Sequence, residues 1–262
     1  MGDARQPHFL EKWHGAGNDF LVAVRERGPA RLDAARAVRW CDRHTGIGAD
    51  GLLEGYFTHE GFAMRLHNAD GSSAELSGNG LRCLVAAAAS HGLVPEGTLD
   101  VRTDAGTRRV TIALDPSGAT AWGSVDMGEV EVKGGTLESG VIAVVGNPHV
   151  VVTDDGMPAS ALVARARDLA GPLASGANVE FVTVLAEDHL SIRVVERGAG
   201  LTLACGTGSC AVAAVAHGLG LVAAQVTVTN PGGDLHVTLR DGAATLAGPA
   251  QRIAAITVDG PW

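Results

Sequence analysis

The sequence predicts an α/β (α+β) protein made of two pseudo-symmetric domains, on three observations. A glycine-rich turn leading into an alanine-rich helix occurs twice. Ser77-Gly78-Asn79-Gly80 leads into Leu81–His91, and 128 positions later Cys205-Gly206-Thr207-Gly208 leads into a helix expected from about Ser209 to Ala216. Other landmarks repeat in the same order at nearly the same spacing: Gly17-Asn18 and Gly146-Asn147, Ala49-Asp50 and Ala177-Asn178, Asn68 and Glu196. Landmarks that recur in one order mark an internal repeat. Finally, short alternating apolar runs, the period-two pattern of strands, surround both helical stretches. We expect domains at residues 1–125 and 126–262, the last strand (about 252–262) being free to return to the first. The active site is expected in the cleft between them, where ligand sites concentrate.

Bulk properties narrow the function. A chain of 262 residues can hold a large core in one or two domains. A net charge of −9 without a basic cluster argues against nucleic acid or an anionic membrane as partner. No apolar run approaches the ~20 residues of a membrane-spanning helix. The start, Met-Gly-Asp-Ala-Arg-Gln-Pro-His, lacks a signal-peptide core, so a cytoplasmic protein is expected. Cys41, Cys83, Cys205 and Cys210 show no CxxC spacing and are read as free thiols. Glycine, at 36 residues, is about twice its usual ~7% share, which suits ligand binding through backbone. Lysine occurs only at Lys12 and Lys133, which weakens any pyridoxal-phosphate chemistry. No phosphate-binding loop, dinucleotide fingerprint or HExxH metal motif is present.

Taken in order, residues 8–13 and 19–24 read as strands around the turn His14-Gly15-Ala16-Gly17-Asn18, where Asn tolerates a left-handed backbone. A helix is expected over 30–41, after Pro29, with Leu32, Ala35, Val38 and Trp40 on or near one face. Strands follow at Leu52–Glu54 and Phe62–His67, the second turning at Asn68-Ala69-Asp70-Gly71-Ser72. Hairpins are expected at 99–103 with 108–114, and at 226–229 with 235–239. The stretch from about 123 to 140 reads as the domain crossing, and 158–170 as a helix matching 30–41.

The chemistry concentrates at the two helix starts. Unpaired N–H groups and the helix dipole favour negative charge there, so the Cys205 thiol is expected to tend toward thiolate. The backbone at Gly206 and Thr207 can bind a carboxylate. Two matching helix starts suit a proton transfer at a carbon with two opposite faces, which needs a base on one side and an acid on the other. N–H groups aimed at an adjacent carboxylate would stabilise the carbanion.

At these residues the chain resembles the diaminopimelate epimerase family. The resemblance rests on His14-Gly15-Ala16-Gly17-Asn18-Asp19-Phe20, Asn68-Ala69-Asp70-Gly71-Ser72, Gly78-Asn79-Gly80-Leu81-Arg82, Gly146-Asn147-Pro148-His149 and Glu196-Arg197-Gly198-Ala199-Gly200 with Ala204-Cys205-Gly206-Thr207-Gly208. It implies two similar domains, each a mostly antiparallel sheet around a central helix, usually as a homodimer. It also implies cofactor-independent and metal-independent inversion of LL-diaminopimelate to the meso form. Position by position it makes Cys205 catalytic, with Ser77 at the family's other catalytic cysteine. Gly78-Asn79 and Gly206-Thr207 match the backbone clamps on the reacting carboxylate. Asn18, Asn68, Asn147, Asn178, Glu196 and Arg197 match residues that hold the substrate, and His149 matches an assisting residue. Glu196 suits an ammonium and Arg197 a carboxylate.

Three positions depart from the family pattern: Ser77, Leu201 where Glu is common, and Trp13 where Met is usual. Ser77 matters most, because a hydroxyl is a far weaker acid than a thiol of pKa ~8.5 and needs an activating neighbour. Three readings stay open on sequence alone. The serine replaces a native cysteine; or the chain is an epimerase that works with a hydroxyl; or it is a relative with other chemistry. The last includes an epimerase or dehydratase for another amino acid and a catalytically silent amino-acid binder.

Overall fold

Residues 8–26, 32–173, 176–197 and 199–258 are described by the computed structural model. The order begins β1 (His8–Gly15), β2 (Asn18–Arg25), α1 (Ala34–Cys41), β3 (Gly51–Thr58), β4 (Gly61–Asn68), α2 (Gly78–Ser90), β5 (Gly97–Thr103), β6 (Gly106–Leu114) and β7 (Thr120–Glu129). It continues with β8 (Glu131–Lys133), β9 (Val141–Val145), β10 (Asn147–Thr153), α3 (Ala159–Ala170), β11 (Asn178–Ala186), β12 (His189–Glu196) and β13 (Gly200–Thr202). α4 (Gly206–Gly218), β14 (Gln225–Asn230), β15 (Gly233–Arg240) and β16 (Ala243–Val258) complete it. The fold is α+β and mostly sheet.

The chain divides into two units. One holds Asp19–Gly123 together with the chain up to Gly15 and from Pro249; the other holds Ala16–Asn18 and Ser124–Gly248. Against the expected boundary at 125/126, the division falls inside β7, between Gly123 and Ser124, and the return begins at Pro249, inside β16.

In the first unit the strand order is β1-β2-β3-β4-β5-β6-β7-β16, and β16 pairs back onto β1 from His8↔Val258 to His14↔Gln251, closing an eight-stranded barrel. Its centre is α2, which packs on β1, β3 and β6. Every residue from Gly78 to Ala88 is buried. A helix that is apolar nearly all round has no solvent face and must be wrapped, and alanine lets strands approach closely. In the second unit the order is β16-β15-β14-β12-β11-β10-β9-β8, with β13 on β12, and α4 is buried in the same way from Gly206 to Ala213.

Apart from β13, to which only the isolated bridge His67↔Ser73 corresponds among the described residues of the first unit, the units match closely. β2–β3 and β10–β11 are parallel pairs joined through α1 and α3; β4–β5 and β12–β14 are parallel pairs joined through α2 and α4. Parallel neighbours need such crossovers, whereas hairpins serve the antiparallel pairs. The registers correspond as well: Phe20 lies opposite Gly51 in one unit, and His149 opposite Asn178 in the other. α1 and α3 each cover their own apolar cluster, around Trp40, Leu21 and Leu52 in one unit and around Leu162, Val179 and Phe181 in the other.

Several expected boundaries change. α1 begins at Ala34, because Asp33 caps it by accepting the Arg36 N–H; residues 30 and 31 of the expected helix lie outside the described residues. Its buried residues are Ala37, Trp40 and Cys41, and Val38 is exposed rather than on the buried face. α4 starts three residues earlier than expected, since Cys205 itself is the cap and Gly206-Thr207 form the first turn. The 123–140 stretch, where the chain passes from one unit to the other between Gly123 and Ser124, carries regular strands. β7 runs into it with Ala121, Gly123, Val125 and Met127 inward, and β8 follows. No helix among the described residues is long and apolar enough to cross a membrane.

Candidate functional site

In the second unit β12 ends at Glu196, β13 follows, and the chain reaches Cys205 one residue before α4. Cys205 is extended (φ −127°, ψ 114°), and its Sγ accepts the Gly208 N–H at 3.4 Å, so the sulfur is the helix cap. The Thr207 hydroxyl lies 3.5 Å from the same sulfur and the Asn178 amide nitrogen 3.9 Å. The main chain of Cys205 is fixed from behind. Its N–H donates to Asn230 Oδ1 at 3.3 Å, and its carbonyl accepts the Ser209 hydroxyl at 2.8 Å. Asn230, buried, also donates to Ser209 Oγ at 3.2 Å.

Around this cap the structure gathers most of the residues expected in this half. Asn178, the first residue of β11, accepts the Arg197 N–H at 2.9 Å. Glu196 accepts the Thr202 hydroxyl at 2.6 Å. His149, fully buried in β10, has Nδ1 2.7 Å from Glu180 Oε1 and Nε2 3.0 Å from Asn147 Oδ1. Asn18 opens β2 after the left-handed Ala16 and Gly17, and Asn147 opens β10 after the left-handed Gly146. Gly198 of the Glu196–Gly200 motif lies outside the described residues.

The expectation of a thiolate at Cys205 is corrected. The residue is only 5% exposed, and burial pushes the thiol well above its ordinary value. The carboxylates of Glu196 and Glu180 push the same way, against hydrogen bonds from Thr207 and Gly208. A helix start lowers a thiol pKa when water also reaches the sulfur; here desolvation outweighs the helix donor. Cys41 and Cys83, also buried, are pushed up to about 12, chiefly by desolvation.

The first unit carries the counterpart. Ser77 is extended in nearly the same conformation (φ −142°, ψ 115°) and its Oγ accepts the Gly80 N–H at 3.0 Å, capping α2. Asn79 is held by Arg82, whose NH2 donates to Asn79 Oδ1 at 2.7 Å. Arg82, fully buried, also reaches the Gly78 carbonyl at 3.3 Å and, through Nε, the Pro249 carbonyl at 3.5 Å. Asn68, at the end of β4, donates to Ser72 Oγ at 2.9 Å within its own turn.

Among the buried polar residues to which the sequence reading gave no role are Arg82, Glu180 and Asn230. The first two had a signal, a charged residue inside an apolar run (Leu81-Arg82-Cys83-Leu84 and Val179-Glu180-Phe181-Val182). Asn230 reads only as a hairpin turn beside Pro231. No group of three or more His, Cys, Asp or Glu side chains among the described residues is arranged to hold a metal ion.

The family model for diaminopimelate epimerase matches residues 11–133 and 141–253. The chain is 38% identical to the diaminopimelate epimerase of Corynebacterium glutamicum, over 93% of this chain and 95% of the relative. It is 38% identical to that of Heliobacterium modesticaldum, over 92% and 96%. Similar solved structures include a probable proline racemase from Agrobacterium radiobacter (TM-score 0.74, 16% identity, 97% and 93% covered). Another is a phenazine biosynthesis protein of the PhzF family from Bacillus anthracis (TM-score 0.69, 16% identity, 97% and 99% covered). At such identities the likeness concerns the fold.

Proposed function

The chain belongs to the diaminopimelate epimerase family, and on that premise we propose that it is an isomerase converting LL-2,6-diaminopimelate to meso-diaminopimelate without a cofactor, for lysine and peptidoglycan precursors. The observation that carries the reading is the pair of matched caps. Cys205 and Ser77 occupy the same position and nearly the same backbone conformation ahead of two buried helices. In this reading one group removes the α-proton from one face and the other returns a proton to the opposite face. The N–H groups at Gly78-Asn79 and Gly206-Thr207 receive the carboxylate whose charge grows as the carbanion forms. Glu196 and Arg197 hold the distant amino-acid group, with Asn18, Asn68, Asn147 and Asn178 completing the polar contacts and His149 assisting Cys205.

Burial gives this reading a chemical consequence. The Glu196 carboxylate helps hold Cys205 as a thiol. An ammonium of the substrate on Glu196 would cancel that charge, so binding lowers the thiol pKa when a base is needed. The polypeptide is read as cytoplasmic and as a homodimer, which light scattering at micromolar concentration tests.

Chiral chromatography of LL-diaminopimelate incubated with the protein tests the assignment. Appearance of the meso isomer, abolished in Cys205→Ala, is expected. No conversion of diaminopimelate, with inversion of another amino acid, would refute the substrate. Ser77 favours one second reading, an enzyme of this fold that eliminates water from a hydroxylated amino acid. A dehydrated product would identify it.

A further inference from the structure

The two halves of the fold are alike in backbone but not beneath their helix caps. A Cβ on Gly80, in the first turn of α2, would meet Leu53 Cδ1 at 3.3 Å. A Cβ on Gly208, the matching residue of α4, would meet Glu180 Oε1 at 2.5 Å. Leu53 and Glu180 are each the third residue of their strand, β3 and β11, and each faces its central helix from the equivalent place. Leucine therefore suffices to fill that position. The second unit instead buries a carboxylate completely, with Oε2 lacking a hydrogen-bond partner among the described residues.

A buried carboxylate is a poor way to gain stability, because desolvation rivals the attraction to its partner. Rule-breaking residues of this kind concentrate where function requires them. The partner is His149, also fully buried, with Nδ1 2.7 Å from Oε1. In the first unit the register places Phe20 where the second has His149, so both members of the pair are apolar there. The hydrogen bond made by one imidazole nitrogen decides what the other presents. An acceptor at Nδ1 keeps a proton on Nδ1; the bare Nε2 then pairs with the Asn147 side-chain amide, 3.0 Å away, once that amide is turned so that its Nδ2 donates.

We propose that Glu180 is a positioning residue of the Cys205 half-site: it fixes the orientation and the Nδ1–H form of His149, and it seats the first turn of α4 through Gly208, whose N–H donates to the capping Cys205 sulfur. The Ser77 half-site has no such device. This rests on the reading of Cys205 as the acid–base group of an epimerase.

Glu180→Leu installs the residue that the first unit uses, and Glu180→Gln keeps an acceptor oxygen without the charge. With diaminopimelate, Glu180→Leu should lower kcat by roughly 10²-fold, within the range a positioned acid–base group supplies, and leave KM within a few-fold. Nitrogen-15 NMR of the imidazoles, with His149 assigned by its loss in His149→Gln, should show the Nδ1–H form in the unaltered protein and in Glu180→Gln, but not in Glu180→Leu. Glu180→Gln should also retain more of kcat. An Nδ1–H signal and a kcat unchanged in Glu180→Leu would overturn the proposal, as would a raised KM at constant kcat. Should Glu180→Leu fail to fold, loss of the Nδ1–H form in Glu180→Gln would overturn it and its retention with a lowered kcat would support it. If diaminopimelate is not a substrate, the functional reading fails while the imidazole spectra still decide the positioning.

Discussion

Replacing Ser77 with cysteine tests whether the two helix caps are chemically equivalent positions. The backbone at Ser77 (φ −142°, ψ 115°) lies close to that at Cys205 (φ −127°, ψ 114°), so a thiol at 77 can adopt the geometry the chain already uses at 205. The cap bond would lengthen from 3.0 Å at oxygen toward the 3.4 Å seen at sulfur. Complete loss of a cap costs about 1 kcal/mol, so thermal unfolding should shift by less than that implies. The kinetic effect is larger. A positioned acid–base group contributes about 10²–10⁴ in rate, or about 2.7–5.4 kcal/mol of barrier at 1.36 kcal/mol per tenfold. Chiral chromatography of both LL and meso substrates, with the unaltered protein and Ser77→Cys, should therefore show conversion rising by that factor with stability nearly constant. An unchanged rate in a folded Ser77→Cys would refute the reasoning, because it would show the hydroxyl to be as competent as a thiol or uninvolved.

Other expectations follow from particular contacts. Glu196→Gln removes a charge that holds the Cys205 thiol up, so the pH midpoint for iodoacetamide reaction at Cys205, mapped by mass spectrometry, should fall; an unmoved midpoint would contradict the electrostatic account. Gly208→Ala would drive a Cβ to 2.5 Å from Glu180 Oε1 in a packed interior and should destabilise by about 1–3 kcal/mol in urea. Gly218→Ala, with nothing within 4 Å of its Cβ, should be neutral or stabilising by up to about 1 kcal/mol. Burial alone would raise Asp19, but hydrogen bonds from Arg43 at 2.6 Å and from Lys12, together with their charges, hold its carboxyl below the usual range. That stabilisation is present above the unfolded carboxylate pKa of about 3.9 and is lost as pH falls through the lower folded value. Asp19→Asn should thus be less stable at neutral pH and show a shallower loss of stability below about pH 4.

What could be read in the sequence was what local chemistry determines. The recurrence of Gly-x-Gly ahead of alanine-rich stretches located α2 and α4 as the paired centres of the fold, and Ser77 and Cys205 as residues just ahead of them. The parallel pairings follow from a helix placed between two strands. What escaped depends on distant parts of the chain. The acidity of Cys205 was misjudged because a helix start is visible locally, whereas the burial that outweighs it is assembled from other elements. Glu180 and Arg82 stand in apolar runs whose pattern alone says buried, but their partners His149 and Pro249 lie 31 and 167 residues away. The 123–140 stretch was read as the domain crossing without a strand, yet β7 runs through the division at Gly123/Ser124 with Ala121, Val125 and Met127 alternating inward as strand residues do.

The central claim, that Cys205 exchanges the α-proton of diaminopimelate, is tested most directly by proton NMR of LL- and meso-diaminopimelate with the unaltered protein in heavy water. The account predicts loss of an α-proton signal with concurrent formation of the other isomer, faster from the isomer whose α-proton faces Cys205, and no exchange in Cys205→Ala. Absence of α-deuteration from either isomer, or undiminished exchange in Cys205→Ala, would contradict it.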